Sequence, residues 1–333
     1  MRVLVTGANG FVGQHLCPLL LESGHQVIAA MRRDAAPEFP VAVKSINVGE
    51  LTQGTHWRDA LNGVDAIIHL AARTHVMEET ESNPEMAYRR INVEATRRLA
   101  NEAAELGVRR LVFLSSIKVN GERTQGEPYT ADDRPAPEDA YGRTKRDAEV
   151  ELRRATEGTN TEYVIIRTPL VYGPGVKGNF LRLLAAVARK KLLPLGLIHN
   201  QRSLCHVGNL CSALLAALEH PAAAGRTFLV RDGEDLSTTD LVRHMAKALG
   251  VPAHLLPVPA LFLRLAGRLV GREPAINRLT GSLQVDDGPL RRDLDWQPPF
   301  SVDQGLVQTA TWFKSRYSEF EHLSEGMKDR DAS

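Results

Sequence analysis

Short apolar runs alternate with stretches of helical periodicity through the first half of the chain. "RVLVT" (2–6) reads as a buried strand, followed by a helix from about Phe11 to Ser23. "HQVIAAM" (25–31) and "VDAIIHLAA" (64–72) read as further strands. Residues 83–107 carry a helical pattern that stops at Gly107, "VRRLVFLSS" (108–116) is another strand, and "TEYVIIRT" (161–168) follows a helix through Tyr141. Strands that are apolar throughout, separated by helices, predict a parallel sheet covered on both faces, an α/β doubly wound fold. After Thr168 the texture changes. Pro and Gly crowd "PLVYGPGVKGN", and helical patterns cover 180–190, 207–220 and 236–250, the last opening like a capped helix. "RTFLV" (226–230) is short and able to rejoin the sheet, while "ALFLRLAGRLVG" (260–271) reads as an amphipathic helix interrupted by Arg264 and Arg268.

"TGANGFVG" follows the first strand and opens the first helix. Gly7, Gly10 and Gly13 form a GxxGxxG variant of the dinucleotide fingerprint, with Asn9, Phe11 and Val12 between them. The first glycine permits the tight turn, the second admits a pyrophosphate, and the third lets helix pack on strand. The helix N-terminus then offers free N–H groups to the phosphates. This is a Rossmann signature. An NAD site places an acid at the end of the second strand, whereas this chain has Met31 followed by Arg32 and Arg33. Guanidinium groups bind a 2′-phosphate that an acid would repel, so the expectation is NADP(H), with NAD(H) as the other option.

Charge narrows the partners. Lys+Arg 41 against Asp+Glu 40 leaves +1, which predicts no nucleic acid or membrane partner. Cys17, Cys205 and Cys211 are odd in number and unpaired in pattern, which suits a reducing compartment. His69, His75 and His206 have no metal-ligand spacing and read as hydrogen-bonded residues. No signal peptide and no run of membrane-spanning length is visible, so a cytoplasmic location is expected.

Tyr141 and Lys145 stand one helical turn apart, on the same face. By itself YxxxK decides nothing. Together with the glycine loop, "HLAAR", "INVEAT", "SSIKVNG", "RTPLVYGPG", "RSLCHVGNL" and "LDW", the chain resembles the extended short-chain dehydrogenase/reductases. More narrowly it looks like their nucleotide-sugar epimerase, dehydratase and reductase group. That resemblance implies a catalytic set of Ser116, Tyr141 and Lys145, supported by Asn92. Ser115 is adjacent to Ser116, and the interval to Tyr141 favours the latter. A free phenol titrates near about pH 10, so a lysine ammonium and the nicotinium ring are expected to lower it. The resemblance further implies cofactor contacts at Asn47, Val48, Leu70, Ala71, Ala72 and Pro169. It places a nucleoside diphosphate against Asn179, Leu195, Arg202 and Arg278, although Asn179 could equally be a helix N-cap. The domains expected are a Rossmann unit at 1–170 with a return segment at about 203–230, an interleaved, mainly helical substrate lobe at 171–320, and a flexible tail at 321–333. Pairing through helices at 85–106 and 141–156 implies a homodimer.

Departures from the family pattern sort the activities. The 4,6-dehydratases have an Asp-Glu pair after the active-site hydroxyl, where this chain has Ile117 and Lys118. Leu170 and Met31 replace an asparagine and an acid common in 4-epimerases. The arginine pair and the run "HLAARTHVM … SSIKVNGE" favour an NADPH reductase that completes UDP-N-acetylquinovosamine for glycan or O-antigen synthesis. The alternative is a UDP-hexose or UDP-N-acetylhexosamine 4-epimerase that retains NAD. A binding protein that only senses NADP(H) is disfavoured by the complete Ser–Tyr–Lys set. A hydrolase based on Ser115-x-x-Lys118 lacks its companion motifs.

Overall fold

Strands apolar on both faces need cover on both sides, and the chain supplies it from two directions. The computed structural model describes residues 1–32, 39–51, 55, 57–74, 83–269, 271 and 273–316. Arg33, His75 and the tail expected at 321–333 lie outside the described residues. The first half runs β1 (Arg2–Thr6), α1 (Phe11–Glu22), β2 (Gln26–Met31), β3 (Lys44–Asn47), α2 (Arg58–Leu61) and β4 (Ala66–His69). It continues through α3 (Pro84–Arg89), α4 (Ala95–Glu105), β5 (Arg110–Ser116), α5 (Ala140–Thr156) and β6 (Glu162–Thr168). Then come β7 (Leu170–Tyr172), α6 (Gly178–Ala188), β8 (Leu204–His206), α7 (Val207–Glu219) and β9 (Arg226–Leu229). The remainder is α8 (Thr238–Leu249), α9 (Ala260–Leu269), α10 (Glu273–Thr280), α11 (Gly288–Asp293) and α12 (Val302–Ser315).

The main sheet has the order β3-β2-β1-β4-β5-β6-β9, and every pairing is parallel. The order reverses between β1 and β4, the point at which such sheets open a crevice at their carboxyl edge. Alternate residues of each strand feed opposite cores. Val3 and Val5 pack with Leu16 and Leu20 of α1 and with Leu210 and Leu214 of α7. Leu4, Ile67 and Phe113 pack on the other face with Leu99 of α4 and Leu152 of α5. A third core fills the lobe, where Phe180 and Leu184 of α6, Met245 of α8 and Phe313 of α12 meet. Helix α8 is capped as its sequence predicts. Ser237 accepts from Asp240 N at 2.9 Å, and Gly250 closes the helix in the left-handed region at φ +70.

The structure departs from the sequence expectations in three places. The helix expected over 83–107 is broken by a π-helical turn at Arg90–Glu94. The segment 288–296, expected in the lobe, packs instead on the sheet. Leu290, Leu294 and Trp296 join the β1-side core, and Trp296 Nε1 donates to Ser212 Oγ at 3.1 Å. Strand β3 was not visible because it is an edge strand with mostly exposed positions and no apolar run.

Candidate active site

The glycine loop is a cradle in which side chains do not fit. Gly7 has φ +67, and a Cβ there would lie 2.8 Å from Ala71 N. A Cβ at Gly13 would lie 2.4 Å from the carbonyl oxygen of Ala8, so α1 sits directly on the loop. Gly10 N-caps α1 without any side-chain cap, and the first turn, which contains Phe11 and Val12, carries no acid. The N–H groups of that turn are therefore open to an anion, as a bound pyrophosphate requires. Asn9 offers its carbonyl to Gln14 Nε2 at 3.1 Å, which closes the turn from outside.

The strand ends around this loop are tied together. Ala71 N donates to Thr6 Oγ1 at 3.2 Å, and His69 Nδ1 meets the same hydroxyl at 2.6 Å. His69 Nε2 meets Thr96 Oγ1 at 2.9 Å, so His69 is a buried hydrogen-bonded residue, as expected. Burial, with the charge of Lys145, drives its pKa down to about 3. Leu70 and Ala72 flank Ala71 and are partly exposed, and Pro169 is buried at the end of β6. Asn47 pairs in register with Met31, and Val48 N donates to Met31 O at 2.9 Å, which puts 47–48 beside the end of β2. Arg32 is exposed at the bend that follows.

Residues 71–73 join this edge to the YxxxK helix. At one end Ala71 touches Gly7; at the other, Arg73 N donates to Asn92 Oδ1 at 2.8 Å. Asn92 is 1% exposed and donates to Thr144 Oγ1 at 3.1 Å and Arg73 O at 3.0 Å. The π turn contains this asparagine, and such turns concentrate at functional sites. Thr144 in turn donates to the carbonyl of Tyr141 at 3.0 Å. Asn92 thus positions the helix that bears the tyrosine. Thr144, the intermediary, was not anticipated; nothing in its local sequence marks it.

Ser116 lies at the carboxyl end of β5 and hydrogen-bonds the Tyr141 hydroxyl. Ser115 points elsewhere, donating to buried Glu149 at 2.6 Å, and Glu149 is chelated by Arg167 at 2.9 and 2.7 Å. The two serines face opposite sides of the strand, which settles which one can meet Tyr141. Lys145, 2% exposed, donates from Nζ to Leu114 O at 2.7 Å and sits 4.3 Å from the Phe113 ring centroid. Burial pulls its pKa down to about 7, against the opposing charge of Glu149. Tyr141 is pushed above its ordinary value by desolvation, Asp139 and Tyr88, while the Ser116 hydrogen bond pulls the other way. The Lys145 ammonium, one of the two charges expected to lower the phenol, does not offset this burial. The charge that lowers the phenol pKa has to arrive with a cationic ring.

Lys118, at the place where dehydratases carry an acid, donates to Glu122 at 3.0 Å and to Asp139, the N-cap of α5. Ile117 is buried in a small apolar cluster. Neither residue offers a free carboxyl for eliminating water.

On the lobe side, Arg202 donates from one guanidinium nitrogen to the carbonyls of Arg278 and Gly281 at 2.9 and 3.0 Å. Burial lowers its pKa, Glu122 opposes that, and the neighbouring Arg278 charge adds to it. Two guanidinium groups close enough to repel are relieved by an anion placed between them. Asn179 is exposed in the first turn of α6, and Lys177, not Asn179, holds the N-cap position. The side chain of Leu195 is 6% exposed and belongs to the lobe core, and its carbonyl accepts from Thr239 at 2.5 Å. Its side chain is therefore turned into the lobe core, which leaves its backbone for the diphosphate contact that the resemblance implies.

A doubly wound sheet with a glycine cradle at its reversal point, and a Ser–Tyr–Lys set at the same edge, defines the extended short-chain dehydrogenase/reductase class. Residues 3–230 match the NAD dependent epimerase/dehydratase family, and the chain belongs to it. It is 41% identical to a UDP-glucose 4-epimerase of Vibrio cholerae over 93% of this chain and 95% of that one. It is 26% identical to an N-acetyl-alpha-D-glucosaminyl-diphospho-ditrans,octacis-undecaprenol 4-epimerase of Escherichia coli O157:H7, over 92% of this chain and 94% of that one. Among solved structures, MoeE5 in complex with UDP-glucuronic acid and NAD superposes with a TM-score of 0.75 at 25% identity, covering 95% of this chain and 99% of that one.

Proposed function

We propose that the protein is a 4-epimerase of a UDP-hexose or UDP-N-acetylhexosamine that retains NAD between turnovers. The observation that carries this reading is the hydrogen bond between Ser116 and Tyr141, with Lys145 one turn on, at the edge where the glycine cradle opens. Bound NAD would supply a hydride acceptor and donor, held by the backbone around Gly7, Gly10 and Gly13 and by the ends of β2, β3 and β4. Tyr141 takes the proton from the C4 hydroxyl and returns it after the sugar has turned, and Ser116 orients that oxygen. Lys145 holds the ribose side of the site and supports the phenolate. Arg202 and Arg278 clamp the diphosphate that anchors the sugar.

Both similar 4-epimerases carry in their names a sugar on a diphosphate, which suits an arginine pair. The 41% identity to a UDP-glucose 4-epimerase supports an epimerase over the quinovosamine-forming reductase suggested by the sequence. The NAD dependent family and the NAD bound by MoeE5 support NAD over the NADP(H) expected from Arg32 and Arg33. The pairing of two copies is part of the proposal: α4 and α5 pack together, and Met86, Leu106 and Val150 near them are exposed.

The deciding experiment incubates the purified protein with UDP-glucose, UDP-GlcNAc and UDP-4-keto-6-deoxy-GlcNAc, following reduced nicotinamide absorbance and product identity. Interconversion of the C4 epimers without net cofactor consumption is expected. Stoichiometric loss of reduced cofactor, with the keto sugar alone as substrate, would overturn the proposal in favour of the reductase.

A further inference from the structure

Helix α9 presents its apolar residues to solvent. Leu261, Phe262, Leu265 and Leu269 are 64%, 61%, 48% and 89% exposed, whereas Gly267 is buried. At the helical period these four share one arc, and Arg264 and Arg268 lie along its border. A strap adjoins the start of the helix. Residues 193–197 run beside 255–259, with Leu193 N bonded to His254 O at 2.9 Å and Leu256 N to Leu193 O at 2.8 Å. This strap adds Leu192 and Leu256, exposed at 58% and 42%. Exposed Lys190 and Lys191 precede it directly.

Charge identifies what covers such a face. Segment 189–197 holds three cations and no acid, and α9 adds Arg264 and Arg268 against Glu273 at the start of α10. That is a local excess of four positive charges in a chain whose total is +1. The balanced total, which predicted no attraction to an acidic membrane, therefore conceals a concentrated basic patch. A second copy docking here through a two-fold interface would set this excess against itself. An apolar arc bordered by arginines instead matches a helix that lies in an anionic lipid interface.

We propose that α9 and the 192–197 strap seat the lobe on an anionic bilayer surface, with the leucines and Phe262 among the acyl chains and the arginines and lysines at the headgroups. Among the described residues no helix is long and apolar enough to cross a membrane, so the contact is peripheral. Helix α10, which packs on α9, and the Gly281 after it hold Arg202 through the carbonyls of Arg278 and Gly281, so the docked face adjoins the diphosphate side of the site. The inference is independent of the proposed activity, because α9 contributes no group to the Ser116–Tyr141–Lys145 set.

The test sediments the full chain with vesicles of phosphatidylcholine, alone or mixed with phosphatidylglycerol. Binding is expected only to the anionic vesicles, weakening as salt rises. The Phe262→Asp/Leu265→Asp double variant and the Arg264→Gln/Arg268→Gln double variant should each lose about tenfold or more of it, with sugar turnover unchanged. In a Phe262→Trp variant the emission should shift to the blue on anionic vesicles. The proposal is overturned if the native chain stays in the supernatant with both vesicle types, or if the aspartate variant binds as well as the native chain. It is equally overturned if that variant changes the sedimentation velocity of the lipid-free protein, which would mean that another copy covers the arc.

Discussion

Two tyrosines sit in polar clusters, one on α5 and one on β7, and their surroundings assign them opposite duties. Tyr141 keeps part of its surface exposed, shares its hydroxyl with Ser116, and has a buried lysine one turn away. Tyr172 is fully buried and donates to Asp232 Oδ2 at 2.8 Å. Asp232, also fully buried, accepts from His206 N at 2.7 Å and Asn209 Nδ2 at 2.6 Å on its other oxygen. Both phenols are pushed above their ordinary pKa, chiefly by desolvation. A perturbed pKa therefore does not separate chemistry from architecture here. The partner does: a hydroxyl that can be handed to a substrate marks one site, and a carboxylate already saturated by donors marks a joint between β7, β8 and the lobe.

The sharpest way to break this comparison is to remove each hydroxyl. Tyr141→Phe should lower turnover by about 10²–10⁴-fold while leaving the melting temperature within error; comparable turnover in the variant would end the proton-transfer assignment. Next in size is the serine pair. Ser116→Ala should cost about 10²-fold in kcat, whereas Ser115→Ala should leave kcat intact and reduce stability by freeing an oxygen of Glu149 from its donor. A kcat loss in the second variant alone would reverse the two roles. Tyr172→Phe should spare turnover per folded molecule but cost about 1–3 kcal/mol in urea unfolding, because Asp232 loses a donor where water does not reach.

An effect on stability of the same order concerns pH. Burial pushes Asp232 up to about 6 from its ordinary 3.8, so between those values the folded chain binds the extra proton. Stability contributed by this group is present below about pH 4 and lost as pH rises through about 6. The loss is on the order of 3 kcal/mol. Asp232→Asn should remove this part of the slope, measured by unfolding at pH 4.5 and 7.5. A variant with the same slope as the native chain would show that other acids carry it.

Much of the cofactor edge was legible because its signals are local. Gly7 and Gly13 are demanded by backbone approach within a few residues, and the apolar strands mark themselves by composition. Tyr141 and Lys145 were visible as a pair because one helical turn suffices to align them. The lobe was less legible. Leu195 reads the same whether it faces a substrate or a core, and nothing near Asn179 in the sequence shows that Lys177 takes the cap position.

By itself the sequence determined the doubly wound sheet, the glycine cradle, the helix that carries Tyr141, and the capped α8. These follow from periodicity and from stereochemical limits that act over one turn or one strand. Only the tertiary structure decided that Ser115 turns away to Glu149, that a π turn brings Asn92 to Thr144, and that Arg202 and Arg278 stand together. Only it turned the leucines of α9 outward. Those relations join residues tens of positions apart, and their geometry depends on which face of a strand or helix packs against the rest of the molecule, a choice that burial makes only once the whole core has assembled.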